Sequence, residues 1–220
     1  MFVKICGITS EEDGLLAVAM GADAVGFLFA PSPRRVSPAT AGELARRLPP
    51  ELLTVGVFRN EDPRSVVRIA NGARLRAVQL HRRESPEETK RVRQQVPRVI
   101  KAFRAGSEEL EQARSYGADI ILVDADQPGS GKVFDWALAE RAAGSLPVIV
   151  AGGLTPENVA AAIGKTRPWG VDVSTGVESA PGRKDPRLVR EFINAARQAA
   201  AELPTPEPPS GVLYDWQAEF

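Results

Sequence analysis

The stretch PVIVAGGLTPENVAAAIGKTRPWGVDVSTG, residues 147–176, sets the pattern of the whole chain. PVIVAGG (147–153) is a short apolar run that ends in a glycine pair, and GVDVS (170–174) is a second such run. Between them, Thr155-Pro156-Glu157 reads as a helix N-cap with proline at the first helical position. Apolar runs of about 4–8 residues, bounded by Gly, Pro or polar residues, are strands covered on both faces. Towards the N-terminus the same motif recurs as VKIC (3–6), AVGFLF (24–29), LLTVGVF (52–58), AVQL (77–80), RVIKAF (98–103) and IILVD (120–124).

Helix signals fill the gaps. Ser10 caps a first helix, with Glu11, Glu12 and Asp13 at the positive end of its dipole. Ser37-Pro38 opens a second, and Asp13–Met20, Ala39–Leu48, Arg64–Ala70, Pro86–Gln95, Glu108–Tyr116 and Asp135–Ala143 are the helical spans expected between the strands. Leu188, Val189, Phe192, Ile193 and Ala196 repeat at helical spacing and predict an amphipathic last helix. Eight strands alternating with eight helices is the arithmetic of a compact α/β chain folded as a (β/α)8 (TIM) barrel. An open, doubly wound sheet is the alternative. The strand count and the lack of a Gly-rich dinucleotide fingerprint after the first strand favour closure. No composition break precedes residue 203, so residues 1–203 read as one barrel domain. Residues 204–220 read as a tail: PTPEPPSG is too proline-rich for a helix and forms an extended linker, followed by GVLYDWQAEF. Tyr214, Trp216 and Phe220 in that segment predict docking of the tail on apolar surface outside the barrel mouth; a frayed end is the plain alternative.

Composition narrows the function. The 220 residues are 43% hydrophobic and 25% charged, and a chain of this length buries about 70% of its unfolded surface. Lys plus Arg equals Asp plus Glu, 28 against 28, so no basic field gathers nucleic acid or an anionic membrane. One cysteine excludes an intrachain disulfide, and one cysteine with one histidine excludes a Cys/His zinc site of the usual kind. No window approaches the ~18 apolar residues of a membrane span, and the opening MFVKICG lacks a signal peptide's basic and long apolar regions. A cytoplasmic protein acting on a small molecule is the expectation.

In a closed barrel the chemistry sits in the loops that follow the strands. The polar residues there are Lys4 and Cys6 on strand one, Arg34 and Arg35 after strand two, Arg59 and Asn60 after strand three, and Gln79 and His81 on strand four. Lys101 lies near the end of strand five, Asp124 at the end of strand six, Gly152 and Gly153 after strand seven, and Asp172, Ser174, Thr175 and Gly176 at strand eight. Two loops rich in backbone N–H groups and hydroxyls at consecutive strand ends suit a phosphate dianion, so Gly152, Gly153, Ser174, Thr175 and Gly176 are candidates to bind one. Cys6 reads as a buried hydrophobe or, beside Gly7 and Lys4, as a base with a lowered pKa. Asp124 reads as a capping or salt-bridged carboxylate or, at the barrel mouth, as an acid whose protonated form desolvation favours. His81 could equally be structural, and Arg34 could equally lie on a solvated face.

KICGIT (4–9), GADAVGFLF (21–29), SPRRVSP (32–38), VGVF (55–58), AVQLH (77–81), GSGKVFDW (129–136), AGGLTPENV (151–159) and VDVSTGVE (171–178) together resemble the phosphoribosylanthranilate isomerase family of tryptophan biosynthesis, in order and spacing over roughly residues 1–200. The resemblance implies an Amadori rearrangement that turns N-(5-phosphoribosyl)anthranilate into 1-(2-carboxyphenylamino)-1-deoxyribulose 5-phosphate, without metal or organic cofactor. It implies Cys6 as general base, Asp124 as general acid, Arg34 as the holder of the anthranilate carboxylate, and His81 and Asp172 as residues of the substrate pocket. Gly152, Gly153, Ser174, Thr175 and Gly176 match the family's phosphate loops. The partner it implies is a phosphorylated small molecule, with neither nucleic acid nor membrane, and a chain that is a monomer or homodimer. Two loops depart from the family pattern: Arg82-Arg83 follow VQLH where the family has glycine, and the loop after strand six reads Pro128-Gly129-Ser130-Gly131. The rival readings are a related isomerase of histidine synthesis and a phosphate-binding barrel without turnover. The first lacks an aspartate on strand one, where Cys6 stands; the second has no use for an acid–base pair.

Overall fold

A computed structural model describes residues 1–124 and 144–203. The expected helix Asp135–Ala143, the Pro128–Gly131 loop and the 204–220 tail lie outside the described residues. Strands β1 (Phe2–Cys6), β2 (Ala24–Leu28), β3 (Leu53–Phe58), β4 (Ala77–Leu80), β5 (Val99–Arg104), β6 (Ile120–Asp124), β7 (Val148–Ala151) and β8 (Gly170–Val173) pair in chain order into a closed barrel. All pairings are parallel, and β8 closes on β1 through Lys4 opposite Asp172. The closed architecture is the one expected from the strand count.

Alternation along each strand divides its side chains between two cores. Phe2, Ala24, Leu53, Val55, Ala77, Ile100, Ile120, Leu122 and Ile149 point inward and form one buried cluster. The residues between them point outward. Val3, Ile5, Val25, Phe27, Val150, Val171 and Val173 pack with helical Val189, Phe192 and Ile193 on one side of the barrel. Val78, Leu80, Val99, Phe103, Ile121 and Val123 pack with Val66, Ala70 and Val92 on the other. Parity therefore carries the inward face of β1 from Phe2 through Lys4 to Cys6, that of β4 from Ala77 to Gln79, and that of β6 from Ile120 to Asp124.

The outer layer in the described residues comprises α1 (Glu11–Ala19), α2 (Pro38–Arg47), α3 (Pro63–Gly72), α4 (Pro86–Arg93), α5 (Glu108–Glu111), α6 (Val159–Thr166) and α7 (Pro186–Ala201). Helices α2, α3, α4 and α7 start with proline after a Ser or Asp cap. The missing proline N–H falls where no helical acceptor exists, while the cap oxygen satisfies the next free amides. Ser85 and Glu88 form a full capping box on α4. Val189, Phe192, Ile193 and Ala196 of α7 are buried, the face expected from their spacing.

Three elements differ from expectation. The Thr155-Pro156-Glu157 signal opens a turn, with the Asn158 and Val159 amides donating to the Thr155 carbonyl at 3.2 and 3.1 Å and Asn158 Oδ1 accepting from the Thr155 amide at 2.8 Å, but α6 runs regularly only from Val159. The Glu108–Tyr116 span breaks at Gln112 into α5 and a 3-10 turn (Ala113–Tyr116) that ends on left-handed Gly117. No side-chain cap at Ser107 closes the first turn of α5. A hairpin, β9 (Glu178–Ala180) with β10 (Arg183–Lys184), was not expected after β8.

Candidate active site

A cavity of about 340 Å³ opens at the C-terminal ends of the strands. Cys6, Gln79, His81, Asp124, Gly152, Gly153, Asp172, Ser174 and Thr175 line it. The inward-facing positions at the strand ends, Cys6, Gln79 and Asp124, converge there, as parity requires.

Cys6 is buried at 7% exposure beside Lys4. Gly26 makes that neighbourhood possible: a Cβ at residue 26 would lie 2.7 Å from Cys6 Sγ and 3.2 Å from Lys4 Nζ. Burial pushes the Cys6 thiol above its ordinary range, and the Lys4 ammonium opposes that shift while Asp172 adds to it. Lys4 Nζ donates to Asp172 Oδ1 at 2.9 Å. Burial would pull Lys4 down, but Asp172 and Cys6 together hold it above its ordinary value. Lys4 is thus a permanently charged ammonium with two jobs: it neutralises Asp172 and it favours the thiolate.

Asp124 ends β6, and His81 follows β4. His81 Nε2 lies 3.1 Å from Asp124 Oδ2, and Gln79 Nε2 lies 2.8 Å from His81 Nδ1. Gln79, noted in the sequence only as a strand-end polar residue, is 1% exposed and joins this chain because it shares its face with Ala77.

Arg34 does not appear on the cavity wall. Its Nε and Nη2 donate to Glu178 Oε1 and Oε2 at 2.8 and 2.6 Å. Glu178 also accepts from Lys184 Nζ at 2.9 Å. Burial alone would raise the Glu178 carboxyl, but Arg34 and Lys184 outweigh it and hold it below its ordinary range. Lys184 Nζ donates further to the carbonyls of Cys6 at 2.6 Å and Ser174 at 3.2 Å. Glu178 and Lys184 thus tie the loops after β1, β2 and β8 together. Neither was singled out in the sequence, since a short polar hairpin carries no periodicity.

Gly152 and Gly153 sit at φ 96° and 53° in the loop after β7. Gly176 is not on the cavity wall; it packs behind it, where a Cβ would lie 1.9 Å from the Leu154 carbonyl oxygen. The two candidate phosphate loops meet back to back at that point. Gly176→Ala is expected to force these candidate loops apart and raise KM about fivefold or more, since an overpacked site costs roughly 1–3 kcal/mol. Steady-state kinetics with thermal melting as a folding control checks this.

Lys101 is a correction. Although it follows inward Ile100, it points out of the barrel, where Nζ donates to Glu84 Oε2 at 2.9 Å and to the Arg82 carbonyl at 2.9 Å. Glu84 also accepts from the amides of Asn60 and Arg82, and Asn60 Oδ1 from that of Arg83. The Arg82-Arg83 departure is therefore held from below by a buried Lys101–Glu84 pair, 1% and 4% exposed at their side chains. It places Arg82 on the cavity wall.

The fold and cavity define a class: a (β/α)8 barrel enzyme with a thiol and a carboxyl facing one cavity at its strand ends. Residues 3–195 match the family model described as N-(5'phosphoribosyl)anthranilate (PRA) isomerase. The chain belongs to that family. It is 53% identical over 204 residues, 90% of this chain and 98% of the relative, to N-(5'-phosphoribosyl)anthranilate isomerase of Desulforudis audaxviator. The crystal structure of phosphoribosyl anthranilate isomerase from Thermotoga maritima superposes with TM-score 0.81 at 43% identity, covering 90% of this chain and 99% of that one. A phosphoribosyl anthranilate isomerase in complex with reduced 1-(o-carboxyphenylamino)-1-deoxyribulose 5-phosphate gives TM-score 0.79 at 41% identity, with the same coverage. Among the described residues no helix is long and apolar enough to cross a membrane.

Proposed function

We infer that the chain catalyses the isomerisation of N-(5-phosphoribosyl)anthranilate to 1-(2-carboxyphenylamino)-1-deoxyribulose 5-phosphate, a step of tryptophan biosynthesis. The observation that carries this reading is the placement of Cys6 and Asp124 on inward positions of β1 and β6, both facing one cavity. The rearrangement needs a proton delivered and a proton removed on one sugar. Asp124 protonates the furanose ring oxygen, the ring opens to a Schiff base, Cys6 takes the C2 proton, and the resulting enolamine tautomerises to the ketose. Gly152, Gly153, Ser174 and Thr175 hold the phosphate, with Gly176 setting the spacing of their loops; His81 and Asp172 line the sugar between. Consumption of the fluorescent anthranilate glycoside, followed as loss of fluorescence, tests the activity; no loss at micromolar enzyme would refute it.

Arg34 takes the anthranilate carboxylate. A guanidinium has five N–H donors, and Glu178 occupies two, leaving Nη1 and one Nη2 hydrogen for a second carboxylate. Glu178 then acts as the clamp that aims the fork. Arg34→Ala is expected to cost about 2 kcal/mol in transition-state binding, the range of a charge-assisted bond. The check compares the anthranilate substrate with an aniline analogue lacking the carboxylate. Wild type should discriminate strongly and the variant weakly; equal discrimination by both would remove Arg34 from substrate recognition.

A further inference from the structure

Gln79 stands at the inner end of the His81–Asp124 contact. Its Nε2 meets His81 Nδ1 at 2.8 Å, while its Oε1 is buried and has no hydrogen-bond partner among the described residues. An amide offers an NH2 that only donates and a carbonyl that only accepts. It can therefore match either state of Nδ1, but in opposite orientations. With NH2 towards Nδ1, the ring carries its one proton on Nε2 and donates it to an ionised Asp124, so the pair holds one proton. With Oε1 towards Nδ1, that nitrogen carries a proton and a second lies in the contact between Nε2 and Oδ2, so the pair holds two. Half a turn of the amide exchanges the two arrangements. Because Oε1 has no other partner among the described residues, no further bond from them opposes the turn.

We propose that Gln79 is a positioning residue whose amide orientation sets the proton count of the His81–Asp124 pair: carbonyl towards His81 when the pair is loaded to donate, NH2 towards it once the proton has gone. This rests on the reading of Asp124 as the acid. One proton leaves Oδ2 for the sugar ring oxygen. The proton left on the ring then belongs on Nε2, where the carboxylate accepts it, and exchange passes through water at His81, whose side chain is 30% exposed. Reloading takes one proton from solvent.

Among the described residues, the charged and titratable groups facing the pair differ on its two sides. Cys6 and Asp172 face it across the cavity, with Arg59 and Arg82 from the loops after β3 and β4. Arg83, Arg104, Glu109 and Tyr116 line the adjoining cleft that also contains His81 and Asp124. A neutral substitution at residue 79 leaves all of those charges in place and alters only the partner of Nδ1.

His81 is the only histidine, so its ring nitrogens are assigned without ambiguity in long-range proton–nitrogen NMR of the full chain. In wild type the Nε2–H tautomer is expected at high pH, and the Gln79 NH2 resonances should shift in step as Nδ1 gains its proton. Gln79→Met should mix the tautomers, lower kcat about tenfold with KM within about twofold, and move the alkaline limb of kcat down by about one pH unit. Gln79→Glu, which only accepts, should move that limb up by a similar amount and restore turnover relative to Gln79→Met. An unchanged His81 tautomer and an unchanged limb in both variants overturn the proposal. Should the variants fail to fold, wild-type Gln79 resonances that stay constant through the His81 transition overturn it alone. Full turnover by Asp124→Asn would instead refute the acid reading, while the wild-type titration still decides whether the amide and the ring are coupled.

Discussion

Cys6→Ala is expected to lower kcat by about 10²–10⁴-fold while the affinity for the reduced product analogue changes little, because losing a general base costs rate and not ground-state binding. The environment of the thiol sharpens this expectation. Burial and Asp172 favour the thiol form, while Lys4 and, more weakly, Lys184 favour the thiolate. The rate should therefore climb with pH on the acid side as the thiolate fraction grows. Cys6→Ser should fall nearly as far as Cys6→Ala, since a hydroxyl is a far weaker base in the same site. Single-turnover kinetics decides the matter. A variant that keeps a tenth of the wild-type rate, with chemistry limiting, would remove Cys6 from the mechanism.

Asp124→Asn is expected to reduce turnover to a similar degree. The amide keeps the shape and a hydrogen bond to His81 but has no acidic proton for the sugar ring oxygen. The analogue, already open-chain and needing no protonation, should bind the variant within a few-fold of wild type. The control is Asp126→Asn, two residues further along. If that change abolishes turnover and Asp124→Asn does not, the acid is the second carboxyl of the Asp-Ala-Asp segment.

The barrel was legible because parallel strands buried on both faces write themselves as unbroken β-branched runs, and IILVD or AVQL can hardly be anything else. The same continuity hides which side chains face inward. Lys101 is the instance: one residue from inward-facing Ile100 in sequence, it lies on the opposite face in space, neutralised by Glu84. Cys6 and Asp124 were legible as residues ending apolar runs. Glu178 and Lys184 were not, because their partners at Arg34 and at the Cys6 carbonyl are far away in the chain and no local rule foretells them. Thr155-Pro156 was legible as a helix start, since the Thr155 carbonyl accepts from the Val159 amide and Asn158 caps the Thr155 amide, but the regular helix begins only after that turn.

The Lys4–Asp172 and Lys184–Cys6 contacts also bear on when the enzyme becomes an enzyme. They join residues 168 and 178 positions apart, nearly the full length of the barrel. During synthesis from the N-terminus, Cys6 and Lys4 emerge together with the first strand, but the carboxylate that pairs with Lys4 and the Lys184 clasp on the Cys6 carbonyl come with the last. Contacts of such separation form late, since the chain between them must be ordered first. Before β8 docks, Lys4 has no carboxylate to neutralise and would hold the seam of the sheet open to water. Sealing the barrel and completing the surroundings of its one thiol are thus a single event, and a partly folded chain carries no half-built site.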